Sequence, residues 1–159
     1  MAESSALDRY AEVEMNAGVD ISILTSGDAQ TEVYASLADM FKNYNVNLNE
    51  QIYNAMYLAD SGFGSALVTG MTPTVSLTGD FNPTDDACAY FEGIQYKTGK
   101  DRVSKLKLNR GNTGLTVPVT ITALAIAGGD AGQPNTISVT LTFDGKPEIS
   151  PWTPPSPTP

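Results

Sequence analysis

Residues 69–100, TGMTPTVSLTGDFNPTDDACAYFEGIQYKTGK, spell out a strand, a stop, a capped helix and a turn, in that order. Thr74, Ser76 and Thr78 alternate with Val75 and Leu77, the period of a strand buried on one face. Gly79 is expected to end it. Asn82 can cap a helix, Pro83 suits the first helical position, and Asp85 and Asp86 fall where a helix N-terminus favours negative charge. Ala87, Tyr90, Phe91 and Ile94 then follow at i, i+3, i+4 and i+7, which predicts one helix over about 83–95. Lys97-Thr98-Gly99 closes it.

Working outward, Val19 to Leu24 is a short strand and Val33 to Leu48 a long alternating one. In the latter, Met40, Lys42, Tyr44 and Val46 share one phase; Asp39, Phe41, Asn43, Asn45 and Asn47 share the other. Gln51 to Leu58 satisfies both strand and helix spacing, since Ile52, Ala55, Met56 and Ala59 would also line a helix face. Ser61 to Ser65 is a turn by composition. Three more strands follow the helix, at 102–110, 115–126 and 135–144, separated by Gly-rich turns. In the second of these, Leu115, Val117, Val119, Ile121, Ala123 and Ala125 are in phase. Pro118, lacking an N–H, predicts an edge or a bulge there.

Many short strands with one helix predict a mainly β fold, a β-sandwich or partly closed barrel with a flanking helix. The expected organisation is an acidic N-terminal arm at 1–18, a domain at 19–146 and a Pro-rich tail at 147–159. With proline at nearly every other position, that tail is expected to form neither ladder nor helix.

The chain has 159 residues, no histidine, one cysteine and a net charge of −9. Lacking histidine, it has no Ser-His-Asp or Cys-His arrangement and no His-based zinc site, so no catalytic, cofactor-binding or metal residues are assigned. Asp80-x-Asn82-x-Thr84 begins like a calcium loop, but Asp85 stands where Gly is required and Phe91 where Glu is. Asp85 and Asp86 point about 100° apart on a helix, so they suit the helix dipole better than acid–base catalysis. Gly62-Phe63-Gly64 lacks the third glycine of a dinucleotide fingerprint. Cys88 reads as a small packed residue, and an intrachain disulfide is impossible.

Negative net charge argues against gripping phosphates by counterion release. Lys97, Lys100, Arg102, Lys105, Lys107 and Arg110 form a basic cluster, yet Lys105 and Lys107 alternate with Leu106 and Leu108 as on the wet side of a strand. Tyr53, Tyr57, Tyr90, Tyr96 and Trp152 can be partner anchors; individually such residues are more often core or rim. No apolar run approaches the ~20 residues of a membrane helix. The N-terminus lacks a signal-peptide pattern, so synthesis in a cytoplasm is expected.

The order of parts resembles the tail tube (major tail) proteins of long-tailed, siphovirus-like bacteriophages and prophages. Thr69-Gly70, Thr74 to Gly79, Asn82-Pro83 and Lys97-Thr98-Gly99 carry the likeness, and Val139 to Pro147 (VTLTFDGKP) is similar to that family's last strand and its exit. The resemblance implies the tail-tube fold, with residues 45–64 as a long hairpin arm. It also implies hexameric rings stacked into the tube of a long non-contractile virion tail, through which double-stranded genome DNA is ejected without sequence-specific binding. Expected partners are the chain itself and the tape measure, tail terminator and distal tail proteins, with no membrane and no cofactor. Asp39, Asn43, Asn45 and Asn47 are the candidates for the lumen. The alternatives are the tube of a tail-derived secretion or particle system, or a monomeric Ig-like adhesion or carbohydrate-binding module.

Overall fold

A computed structural model describes residues 18–27 and 30–153. The proposed acidic arm therefore lies, but for Gly18, outside the described residues. Ten strands are present among the described residues: β1 (Asp20–Gly27), β2 (Glu32–Ser36), β3 (Phe41–Asn47), β4 (Glu50–Ala55), β5 (Ser65–Met71), β6 (Thr74–Asp80), β7 (Val103–Arg110), β8 (Thr113–Ile126), β9 (Thr136–Phe143) and β10 (Glu148–Pro151). One helix, α1 (Asp86–Gly93), lies between β6 and β7.

Eight strands form one sheet in the order β2-β1-β7-β8-β9-β6-β3, with β10 added along β8, and every pairing is antiparallel. The strands β2 and β3 stand at opposite ends of that order, yet only residues 37–40 separate them. A flat seven-strand row would hold its edges about 29 Å apart, whereas five Cα steps reach about 17 Å. The sheet must therefore curl, and the β1–β2 and β3–β6 pairings run on into the link between its two edges. The Leu37 amide donates to Ile21 O (2.7 Å) on β1, and the Asp80 amide donates to Met40 O (3.0 Å) beside β3. The curl stops short of a closed barrel, since β2 and β3 share no ladder.

The concave face is the core: Ile21 and Ile23, Leu106 and Leu108, Val117, Val119 and Ile121, Ile137 to Phe143 at alternate positions, and Val75 and Leu77. The helix fills the open side. It packs on β1 and β2, and Phe91, fully buried, meets Phe41 of β3 edge-on at 6.2 Å. The Cys88 thiol is also fully buried, and burial raises its pKa.

Within 69–100 the punctuation differs from the expected one. Gly79 does not end its strand; β6 continues to Asp80, and Gly79 pairs with Phe41 on one side and Ile137 on the other. Glycine is needed because a Cβ there would lie 2.2 Å from Met40 O and 2.6 Å from the Phe41 Cα. The helix begins three residues later than predicted. Its cap is Asp85, whose carboxylate accepts from the Cys88 amide at 3.2 Å. Asn82 instead closes the turn before it, accepting from the Thr84 amide and hydroxyl, with Pro83 inside that turn. The helix stops at Gly93, short of residue 95.

Two bulges overturn the phase assignments. Between Phe41 and Asn43 the β3–β6 register slips, so Phe41 joins Tyr44 and Val46 on the core side instead of sharing a face with the asparagines. A second bulge between Ile121 and Ala123 turns Ala123 and Ala125 outward and brings Leu124 and Ile126, both half-buried, against the core. Val33 to Leu48 is likewise not one strand, because residues 37–40 break it into β2 and β3.

The prolines also behave differently from their sequence reading. Pro118 is neither at an edge nor in the bulge: it pairs with Lys105 and sits where the other neighbour of β8 changes from β10 to β9. Its carbonyl accepts from the Asp144 amide, and the missing N–H faces that junction. The tail does form a ladder, with Glu148 to Pro151 pairing Thr116 to Thr113. Pro147 and Pro151 fall just before and at the end of this edge strand, where a lost donor matters least. Residues 154–159 lie outside the described residues.

Candidate assembly surfaces

The convex face of the sheet is a field of hydroxyls and amides. Cross-strand register aligns Asn43, Asn45 and Asn47 of β3 with Thr78, Ser76 and Thr74 of β6, and these with Ser138, Thr140 and Thr142 of β9. The bulged Thr122 extends the row into β8 by meeting the Thr142 hydroxyl at 3.0 Å. Three of the four lumen candidates thus share one face. Asp39 does not belong to it, since it lies in the 38–40 turn ahead of the strand. Charge enters at the margin, where Lys42 and Asp80 pair at 2.7 Å.

Across β7, β1 and β2 the same face becomes charged but internally matched. Lys105 Nζ bonds Glu32 Oε1 at 2.8 Å, and the Tyr34 hydroxyl donates to Glu32 Oε2 at 2.7 Å. The Lys105 and then the Tyr34 hydrogen bonds hold the Glu32 carboxyl below its ordinary value. Burial first, then Glu32, raises the Tyr34 phenol. Lys107 Nζ lies 4.1 Å from the centroid of the Tyr34 ring. Arg102 is spent locally, donating to Gln95 O and Lys97 O and so satisfying carbonyls just past the helix. Arg102, Lys105 and Lys107 of the sequence's basic cluster thus each engage a partner within the chain.

A third surface is the arm. Residues Gln51 to Leu58, ambiguous in sequence, begin as strand: β4 pairs β5 from Glu50–Met71 to Ala55–Ser65, and a short 3-10 turn (Leu58–Asp60) makes the tip. Up to Gln51–Gly70 this ladder keeps the register of β3–β6, so the two are one long hairpin interrupted at residues 48–49 and 72–73. Asn49, at φ 49°, forms the elbow: its side chain donates to Thr72 O (3.1 Å) and to the Thr74 hydroxyl (3.2 Å). Nine large apolar residues between Glu50 and Met71 are exposed, Leu58 and Phe63 at the tip most of all. Of the five aromatic candidates, Tyr53, Tyr57 and Tyr96 are exposed; Tyr90 packs on Phe91 and Trp152 is half-buried.

A cleft of about 260 Å³ opens between the curled edges, lined by Val19, Ile21 and Leu37 on one side and Phe41, Tyr44 and Leu77 on the other. It holds no convergent reactive groups. Among the described residues no three His, Cys, Asp or Glu side chains come together as a metal site would require.

A curled antiparallel sheet plugged by one helix, with a long exposed hairpin, is the tail-tube fold. The chain superimposes on the tail of an empty gene transfer agent particle, refined with C6 symmetry, with a TM-score of 0.70 at 12% identity; the match covers 87% of this chain and 99% of that one. The SPP1 tail tube gives 0.65 at 16% identity, covering 87% and 80%. The baseplate of the anti-feeding prophage gives 0.54 at 9% identity, covering 83% and 90%. Neither a protein-family model nor a curated protein matches the sequence.

Proposed function

We propose that this chain is the subunit of a virion tail tube, assembling into stacked hexameric rings that conduct genome DNA from a long non-contractile tail into the host. The observation that carries this reading is the fold match to a C6-symmetric tail over 87% of the chain. The exposed apolar arm supports it, because such a surface calls for a partner. Rings closed by heterologous contacts leave the stacking direction open, as a tube requires. Tape measure, terminator and distal tail proteins are the partners this role implies.

The lumen wall in this reading is the convex hydroxyl face, with Asn43, Asn45 and Asn47 at its edge. Hydroxyls and amides supply no cations, so DNA passes without the counterion release that makes binding tight. The net charge of −9 adds repulsion, screened beyond about 8 Å at physiological salt. A wall of neutral hydroxyls thus replaces the carboxylate lining that Asp39 suggested.

The likeness to the anti-feeding prophage baseplate favours a second, weaker reading, a tube of a tail-derived particle. Negative-stain microscopy of the purified chain across concentration and salt tests the proposal. Rings or tubes of uniform width are expected; a monomer that persists and binds a glycan would replace it with the adhesion-module reading. Packaged DNA in particles purified from the producing cell separates the phage tail from the secretion-type tube.

A further inference from the structure

The amino-terminal end of β1 outruns its neighbours. Its ladder with β7 stops at Asp20–Asn109, beside the end of β7 at Arg110. On the other side the Leu37 amide reaches Ile21 O, and the 37–40 link then leads away to β3. The chain ahead of β1 therefore joins the body at the cleft, whose lining includes Val19 and Ile21. The sequence upstream keeps the phase of β1. Val19, Ile21 and Ile23 face the core at 9% exposure or less, and Ala11, Val13, Met15 and Ala17 fall at the same two-residue interval. Glu12, Glu14 and Asn16 alternate with them, as Asp20 and Ser22 alternate within the strand. Residues 11–17 thus carry one apolar face and one acidic face, the pattern of an extended segment covered on one side.

We propose that residues 11–17 of the same chain lie extended across this cleft, with Val13 and Met15 entering it and Glu12 and Glu14 facing water. The strap so formed joins β1 to β3 over the gap between the two curled edges. It belongs to the free subunit and does not rest on the tube reading. Reach is no obstacle, since Val13 stands six residues before Val19, up to about 20 Å of extended chain. Size fits as well. A cavity of ~150 Å³ accepts a benzene ring, so about 260 Å³ takes two aliphatic side chains. Leu37, Phe41, Tyr44 and Leu77 supply apolar walls. Lys42 adds charge complementarity: its ammonium, paired with Asp80 at 2.7 Å, keeps further donors for a carboxylate of Glu12 or Glu14. A short tether also gives this segment an effective concentration near millimolar, which favours it over the same residues of another copy.

Hydroxyl-radical footprinting of the full chain, at a dilution where sedimentation shows monomers, tests the strap through its methionines. Met56, 64% exposed, is the internal standard. Met15 is expected to oxidise several-fold more slowly than Met56. Equal rates overturn the proposal. Protection of Met15 that appears only as concentration rises gives the cleft to another copy and overturns the same-chain strap. As a second measure, Val13→Asp/Met15→Asp is expected to uncover the cleft and raise the fluorescence of bound anilinonaphthalene sulfonate several-fold over the parent chain. A variant whose dye binding stays at the parent level overturns the strap.

Discussion

The β6–β9 ladder and the β4–β5 ladder are built from the same kind of strand and meet opposite fates. In the first, Val75, Leu77, Val139 and Leu141 are at most 1% exposed, because strands continue on either side and the curl covers their face. In the second, Ile52, Tyr53, Leu67 and Val68 are each more than half exposed, because the hairpin runs past the body and meets nothing of its own. A strand's side-chain pattern therefore says that a face wants covering. It does not say whether the same chain or another one covers it.

Substitutions can break that contrast, beginning where the effect is largest. Phe91→Ala removes the ring that joins the helix to β3 and should cost about 3–5 kcal/mol of subunit stability. Chemical denaturation checks it, and a loss below about 1 kcal/mol would mean that the curled body tolerates a gap there. Gly79→Ala forces a methyl onto the β3 backbone and should cost roughly 1–3 kcal/mol, read the same way. Asp85→Ala should cost about 1 kcal/mol, or about 2–4 °C in melting temperature, through the lost cap. Asn82→Ala, outside the helix, should cost less, and the reverse order would move the cap back to Asn82. In the arm, Leu58→Ala should change subunit stability by less than about 0.5 kcal/mol yet reduce tube yield in sedimentation assays. A clear drop in subunit melting would show the tip to be packed in the free chain.

The smallest effect lies on the charged half of the convex face. The pKa of Glu32 is depressed in the folded chain, so its contribution to stability is present above the ordinary carboxylate value of 4.5 and is lost as pH falls through the lower folded value. Glu32→Gln should therefore flatten the acid limb of the stability curve, with little change near neutrality. Denaturant midpoints between about pH 6 and pH 3 test the sign. A steeper acid limb would contradict it.

Much of this was legible in the residues. The alternation at Thr74–Thr78, the helix around Phe91 and the strands after it all follow from local periodicity and capping chemistry. Asn43, Asn45 and Asn47 could be assigned to one wet face because their alternation is undisturbed. What misled was phase. A strict two-residue period put Phe41 with those asparagines and Ala123 with Ile121, and each assignment failed at a one-residue bulge. Bulges arise from how a partner strand twists and fits, as where the Gly79 backbone presses against Met40 and Phe41. The tail was misjudged for a related reason: proline forbids donors at its own position, but Glu148 to Ser150 retain theirs.

The sequence by itself determined the element types outside 51–58 and the tail, the wet and dry residues of each body strand between bulges, and the absence of histidine chemistry. These depend on neighbours one to four residues away and on composition. The tertiary structure alone decided the strand order, the curl that brings β2 and β3 within a four-residue link, and which apolar faces stay open. Those depend on pairings between residues as distant as Asp20 and Asn109, whose geometry no local period encodes.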